Sequence, residues 1–216
     1  LRISGYNNTK DALNKGPFRK ERAFCLLQIQ YFYKRPRNGS AGIKKQNLLE
    51  VKKEVWLRGE KDPHLAAELQ PAADALLQAG EELEALLKDF PDAWLWDRPA
   101  GVAAVGFHLK HIAGVLDRLL SYAEGNMLAP EQLEYLENEV AAGEATVNEL
   151  LQQVHGAIER CIARYRQFSS AALAASRSVG RAGLPSTVIG LCFHAAEHTM
   201  RHTGQLLVTV KMLQNQ

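Results

Sequence analysis

The stretch His194-Ala195-Ala196-Glu197-His198-Thr199-Met200-Arg201-His202-Thr203-Gly204-Gln205 sets three histidines at successive four-residue steps. A step of four advances an α-helix by about 400°, one turn plus roughly 40°. On a helix, His198 and His202 therefore project from one face, one turn apart. Two imidazoles so placed can hold one ion at metal–nitrogen distances of about 2.0–2.1 Å. A histidine from a facing helix would complete a three-nitrogen site and leave positions for water or substrate, as catalytic rather than structural metal sites do. The plainer reading, hydrogen-bonded core or surface histidines, has to explain three imidazoles in an otherwise apolar helix, where unpartnered burial is costly. His194 and His202 lie two turns, about 12 Å, apart. They do not easily share one ion on a straight helix; His194 could pair with His198 in place of His202, but it reads as a pocket-lining or supporting residue.

Working outward, Pro185 opens this last helix, which continues to about Leu213. The preceding stretch, Ser169 to Leu184, contains Gly180 and Gly183 and reads as loop. Before it, a helix over about Thr146 to Phe168 carries Leu150, Leu151, Val154, Ile158, Cys161, Ile162 and Tyr165 at three- and four-residue spacing. Pro130 opens a short acidic helix through Glu139, and another helix covers about Val102 to Glu124, stopping at Gly125. A first helix is expected from the cap Asp62-Pro63 to about Phe90, ended by Pro91. Trp94 and Trp96, in the loop from Pro91 to Gly101, suit residues that cover the end of a core. Four long helices and no strand pattern predict an all-α fold, a four-helix bundle over residues 61–216.

Charge divides the chain. Residues 1–60 carry 14 Lys and Arg against 5 Asp and Glu, a net of +9, and residues 61–216 carry 12 against 19, a net of −7. Residues 1–60 read as a basic, poorly structured N-terminal extension, with a short helix near Asn47 to Arg58. Its aromatic run Tyr31-Phe32-Tyr33 would suit a nucleic-acid arm, but basic tails commonly have no specific partner. Nucleic acid is therefore not the expected partner, and the apolar run Ala23 to Tyr33 is too short to span a bilayer. Cys25, Cys161 and Cys192 are odd in number and widely spaced, which fits free thiols in a reducing compartment. Walker loops, dinucleotide fingerprints, Gly-x-Ser-x-Gly elbows, Cys-x-x-Cys and His-Glu-x-x-His are all missing.

The pattern His198-x-x-x-His202-Thr203-Gly204-Gln205 is joined by Gly106-Phe107-His108-Leu109-Lys110-His111-Ile112-Ala113-Gly114 on an earlier helix. Together they resemble the DinB-like family, which includes bacillithiol and mycothiol S-transferases. The resemblance covers about residues 63–213 and does not reach residues 1–60. It implies a four-helix bundle, often dimeric, with three histidines around a divalent ion such as zinc or nickel. Carried over residue by residue, it implies His111, His198 and His202 as metal ligands, with His108 as a substitute for His111. No catalytic residue is implied.

Several polar residues could serve such a site. Gln205 follows His202 on nearly the same face, and Glu197 or Asp117 could accept the free ring proton of a ligand histidine. Asp117-Arg118 could equally be a local ion pair, and Glu197 could face solvent. Arg177, Arg181 and Arg201 could receive an anionic or thiolate-bearing substrate, or be solvated. By the resemblance, the expected protein is a cytoplasmic, dimeric, metal-dependent thiol S-transferase or hydrolase acting on a small molecule. The alternative is a non-catalytic metal-binding stress-response protein that acts through dimerisation.

Overall fold

Two prolines compete for the start of the first helix, and the computed structural model, which describes residues 53–215, settles it in favour of the later one. Helix α1 runs Gln70–Leu87 with Pro71 in its first turn. A helix begun at Pro63 would carry Pro71 in its interior, where it lacks a donor and clashes with the preceding turn. Asp62 instead makes a local turn, accepting from His64 N at 2.9 Å, and pairs with Arg166.

The other helices are α2 (Val105–Ala123), α3 (Pro130–Asn138), α4 (Val147–Tyr165) and α5 (Val188–Leu213). Helix α2 ends at Gly125, whose φ of 86° is the left-handed conformation that closes a helix. Helix α4 opens on a capping box, with Thr146 Oγ1 accepting from Glu149 N and Glu149 returning a carboxylate oxygen to Thr146 N.

The expected loop 169–184 and the expected start of α5 at Pro185 are both corrected. Ser176–Val179 (β1) and Leu184–Thr187 (β2) form an antiparallel hairpin with Ser176 opposite Thr187. Gly180 and Gly183 close it with φ of 67° and 63°. Pro185 lies in β2 opposite Ser178. Helix α5 begins at Val188, capped by Thr187 Oγ1, which accepts from Gly190 N at 3.1 Å. The strands escaped the sequence reading because four-residue segments such as Ser-Arg-Ser-Val offer too little alternation to see.

Four long helices make the bundle. Helix α2 packs against α4 and α5, and α1 packs against the same two, so α1 and α2 face each other across the core. The core is built from the apolar stripes: Leu76 and Leu83 of α1, Ile112 and Leu116 of α2, Val154 and Tyr165 of α4, Leu206 and Val210 of α5. The segment Pro99–Ala123 is apolar and long enough to cross a membrane by length and composition, but most of α2 is buried inside the bundle. Trp96 covers the core near the start of α2, where a Cβ at Gly106 would stand 2.9 Å from its ring.

Residues 53–60, counted with the basic extension on charge, pack onto α1. Val55 is buried and its N–H donates to Gln78, while Arg58 forks onto both carboxylate oxygens of Glu81. Of the expected helix near Asn47 to Arg58, the described part is a single 3-10 turn, Val55–Leu57. The rest of that helix, the remainder of the extension, Cys25 and the Tyr31–Tyr33 run lie outside the described residues.

Candidate metal centre

Helices α2 and α5 pack antiparallel, which pairs an early histidine of one with a late histidine of the other. His111 Nε2 lies 3.0 Å from His198 Nε2, and His108 Nδ1 lies 2.9 Å from His202 Nδ1. The rings of His198 and His202 are 4.5 Å apart between centroids, as are those of His111 and His202. His111, His198 and His202 each offer one nitrogen, all within 4.8 Å of one another. Three nitrogens on a tetrahedral ion at about 2.05 Å would stand about 3.3 Å apart, close to the 3.0 Å between His111 and His198. Phe107 walls the cluster, stacked on His111 at 5.3 Å and edge-on to His108 and His202.

Each ring has a different partner on its far side. His111 Nδ1 meets Glu139 Oε2 at 2.6 Å. A carboxylate there selects the tautomer with the proton on Nδ1 and a lone pair on Nε2. His202 Nδ1 is taken up by His108, which leaves Nε2 free. His198 Nδ1 is buried with no hydrogen-bond partner.

Burial pushes His108 down to about 4, with neighbouring His111 the next cause. It takes His198 to about 4 and His202 to about 3, with His111 the next cause for both. These rings are neutral near pH 7, and the neutral imidazole is the form that binds metal. With the Nδ1 proton of His111 held by Glu139, its Nε2 presents a lone pair to the cleft, and a cation shared by the three inward nitrogens would satisfy them together. The donor set fits a divalent ion.

The supporting carboxylate is not the one expected. Glu197 bonds His194 Nδ1 and forks onto Arg201, and Asp117 bonds Gln132 and Arg164. Arg118 pairs with Glu139, not with Asp117. No sequence signal singled out Glu139, one of many acids between Glu131 and Glu144. His194 is 5.2 Å from His198 between ring centroids and forms a second group with Glu197 and His198 at the rim. Gln205 is exposed, Arg177 donates to Ala123 O in α2, and Arg181 is exposed on the hairpin turn. A separate groove of about 950 Å³ between α1 and α4 is lined by Glu81, Lys88 and Asn148, among others, but by no histidine.

Comparisons with known proteins agree with this architecture. Residues 75–206, more than half of the chain, match the DinB superfamily. The fold is similar to that in the "Crystal structure of the conserved protein of locus from Enterococcus faecalis", with a TM-score of 0.55 and 17% identity. That likeness covers 70% of this chain and 99% of the other. No curated protein matches the chain.

Proposed function

The chain belongs to the DinB superfamily, and from that premise we propose that it binds a divalent metal ion, zinc or nickel first, through His111, His198 and His202. The observation that carries the reading is the meeting of nitrogens from two helices at 3.0 Å, one of them on the His198 ring that burial keeps neutral. We further propose a metal-dependent enzyme of thiol S-transferase or hydrolase type, acting on a small molecule such as a low-molecular-weight thiol. When bound, the ion would supply a Lewis acid that stabilises a thiolate or lowers the pKa of water. The residues around it do the rest. Glu139 and His108 hold the ligand rings by their Nδ1 atoms. Phe107, stacked on His111, walls one side of the site.

The second reading, a non-catalytic metal-binding dimer, draws on the outer face of α5. Ile189, Phe193, Leu207 and Val208 are exposed within about 100° of one another. A homodimer in a reducing cytoplasm fits both readings.

Elemental analysis of purified protein beside His198→Ala tests the reading. About one ion per wild-type chain and its loss from the variant is the expected result. Equal metal content in the two would refute it.

A further inference from the structure

Glu139 is 2% exposed, and both of its carboxylate oxygens are engaged. One accepts from His111 Nδ1 and the other from Arg118 Nη1, each at 2.6 Å. Arg118 is itself buried. The carboxylate enters between α2 and α3 through a slot left by Gly114, where a methyl group would overlap the Glu139 carboxylate, the Arg118 guanidinium and the Tyr135 ring. The backbone around Glu139 is clamped from outside, since Lys110 Nζ donates to Asn138 O and to Ala141 O on either side of it. Tyr135 closes the loop by donating to Lys110 O.

Helix α3 has no buried residue of its own. Its place on α2 is held by polar contacts: Gln132 to Asp117 and Ser121, Tyr135 to Lys110, Lys110 to Asn138 and Ala141, and Glu139 at the deep end. A helix with no buried residue, followed at its C-terminal end by one fully buried carboxylate against a histidine, is an expensive arrangement unless the carboxylate has a task there.

Resting on the metal site read above, we propose that Glu139 is its positioning residue. It fixes the ring of His111 with Nε2 turned to the ion, in a slot that Gly114 keeps open and Arg118 keeps charged. Because Glu139 belongs to the α3 segment and His111 to α2, docking of α3 and metal affinity are linked. Whatever strengthens one strengthens the other by the same factor.

Cobalt(II) loading tests this, with affinity read by chelator competition and ligand geometry read from the visible spectrum at saturation. Glu139→Gln keeps the shape and removes the charge. It should weaken cobalt binding by about 10–100-fold and shift the saturated spectrum. Gly114→Ala fills the slot with the carboxylate intact and should do the same, which keeps the test open if Glu139→Gln fails to fold. Glu137→Gln, an exposed neighbour, should bind as wild type does. Cobalt should also slow amide exchange across residues 130–141 in the wild type and not in Glu139→Gln, a response that a merely structural carboxylate would not give. Wild-type affinity and spectrum in both Glu139→Gln and Gly114→Ala would overturn the proposal while leaving the metal site standing. If wild-type protein takes up no cobalt, or His198→Ala takes up as much, the metal site falls and this proposal with it.

Discussion

Helix α5 presents candidate metal ligands to two places, and burial treats them in opposite ways. On the side facing α2, His198 and His202 meet His111. On the side facing α4, Cys192 lies beside Cys161 and Tyr165, whose hydroxyl donates to Cys192 O at 2.7 Å. Desolvation is the leading cause of the shifts in both places, and it favours the uncharged form of each group. It lowers His198 to about 4 and His202 to about 3, and it raises both thiols to about 12. Tyr165 is raised too, by the same burial. For an imidazole the uncharged form is the ligand. For a cysteine the ligand is the thiolate, which burial suppresses. One physical cause therefore prepares the histidine seam for a cation and leaves the thiol pocket as packing.

The largest expected effect on this contrast comes from His202→Ala. His202 is one of the three proposed ligands, and its loss should lower metal affinity by more than about 100-fold, since removal of an outer partner alone costs about 10–100-fold. Isothermal titration with zinc would measure it.

Acidity comes next. The unfolded histidines titrate near 6.5 and the folded His108, His198 and His202 near 3 to 4. Between those values the unfolded chain binds more protons, so stability falls as pH falls through that window and is fully present above it. The metal-free protein should therefore lose denaturant resistance from about pH 6.5 down to about pH 4. Zinc binding, which needs His198 and His202 neutral, should fail below about pH 4.

Tyr165→Phe perturbs the other region alone. It should cost about 1 kcal/mol of stability in urea denaturation, the worth of one buried hydrogen bond, and leave zinc affinity unchanged. Smallest of all, Cys161 and Cys192 should stay unmodified by iodoacetamide at pH 8 in the folded protein and react once it is unfolded. Peptide mass spectrometry of those two residues would show it.

How far each region could be read beforehand follows from the same chemistry. The pair His198 and His202 was legible because a four-residue step fixes a shared helix face whatever the tertiary structure. Their convergence with His111 rested on the family resemblance, since spacing within one helix says nothing about which helix faces it. Glu139 was not legible. It lies 28 residues from His111 in sequence, among acids of the same kind, and only the docking of α3 and the bare α-carbon of Gly114 bring it to the ring. The bundle was visible in its apolar stripes. The start of α1 and the hairpin before α5 were obscured where a second proline, or strands of four residues, left the local signal ambiguous.

X-ray absorption at the zinc edge of the loaded protein tests the central claim most directly, because it tells the two regions of α5 apart by ligand type. The account predicts a shell of nitrogen at about 2.0–2.1 Å with the outer-ring scattering of three imidazoles. A sulfur shell at about 2.3 Å, or oxygen without imidazole, would contradict it.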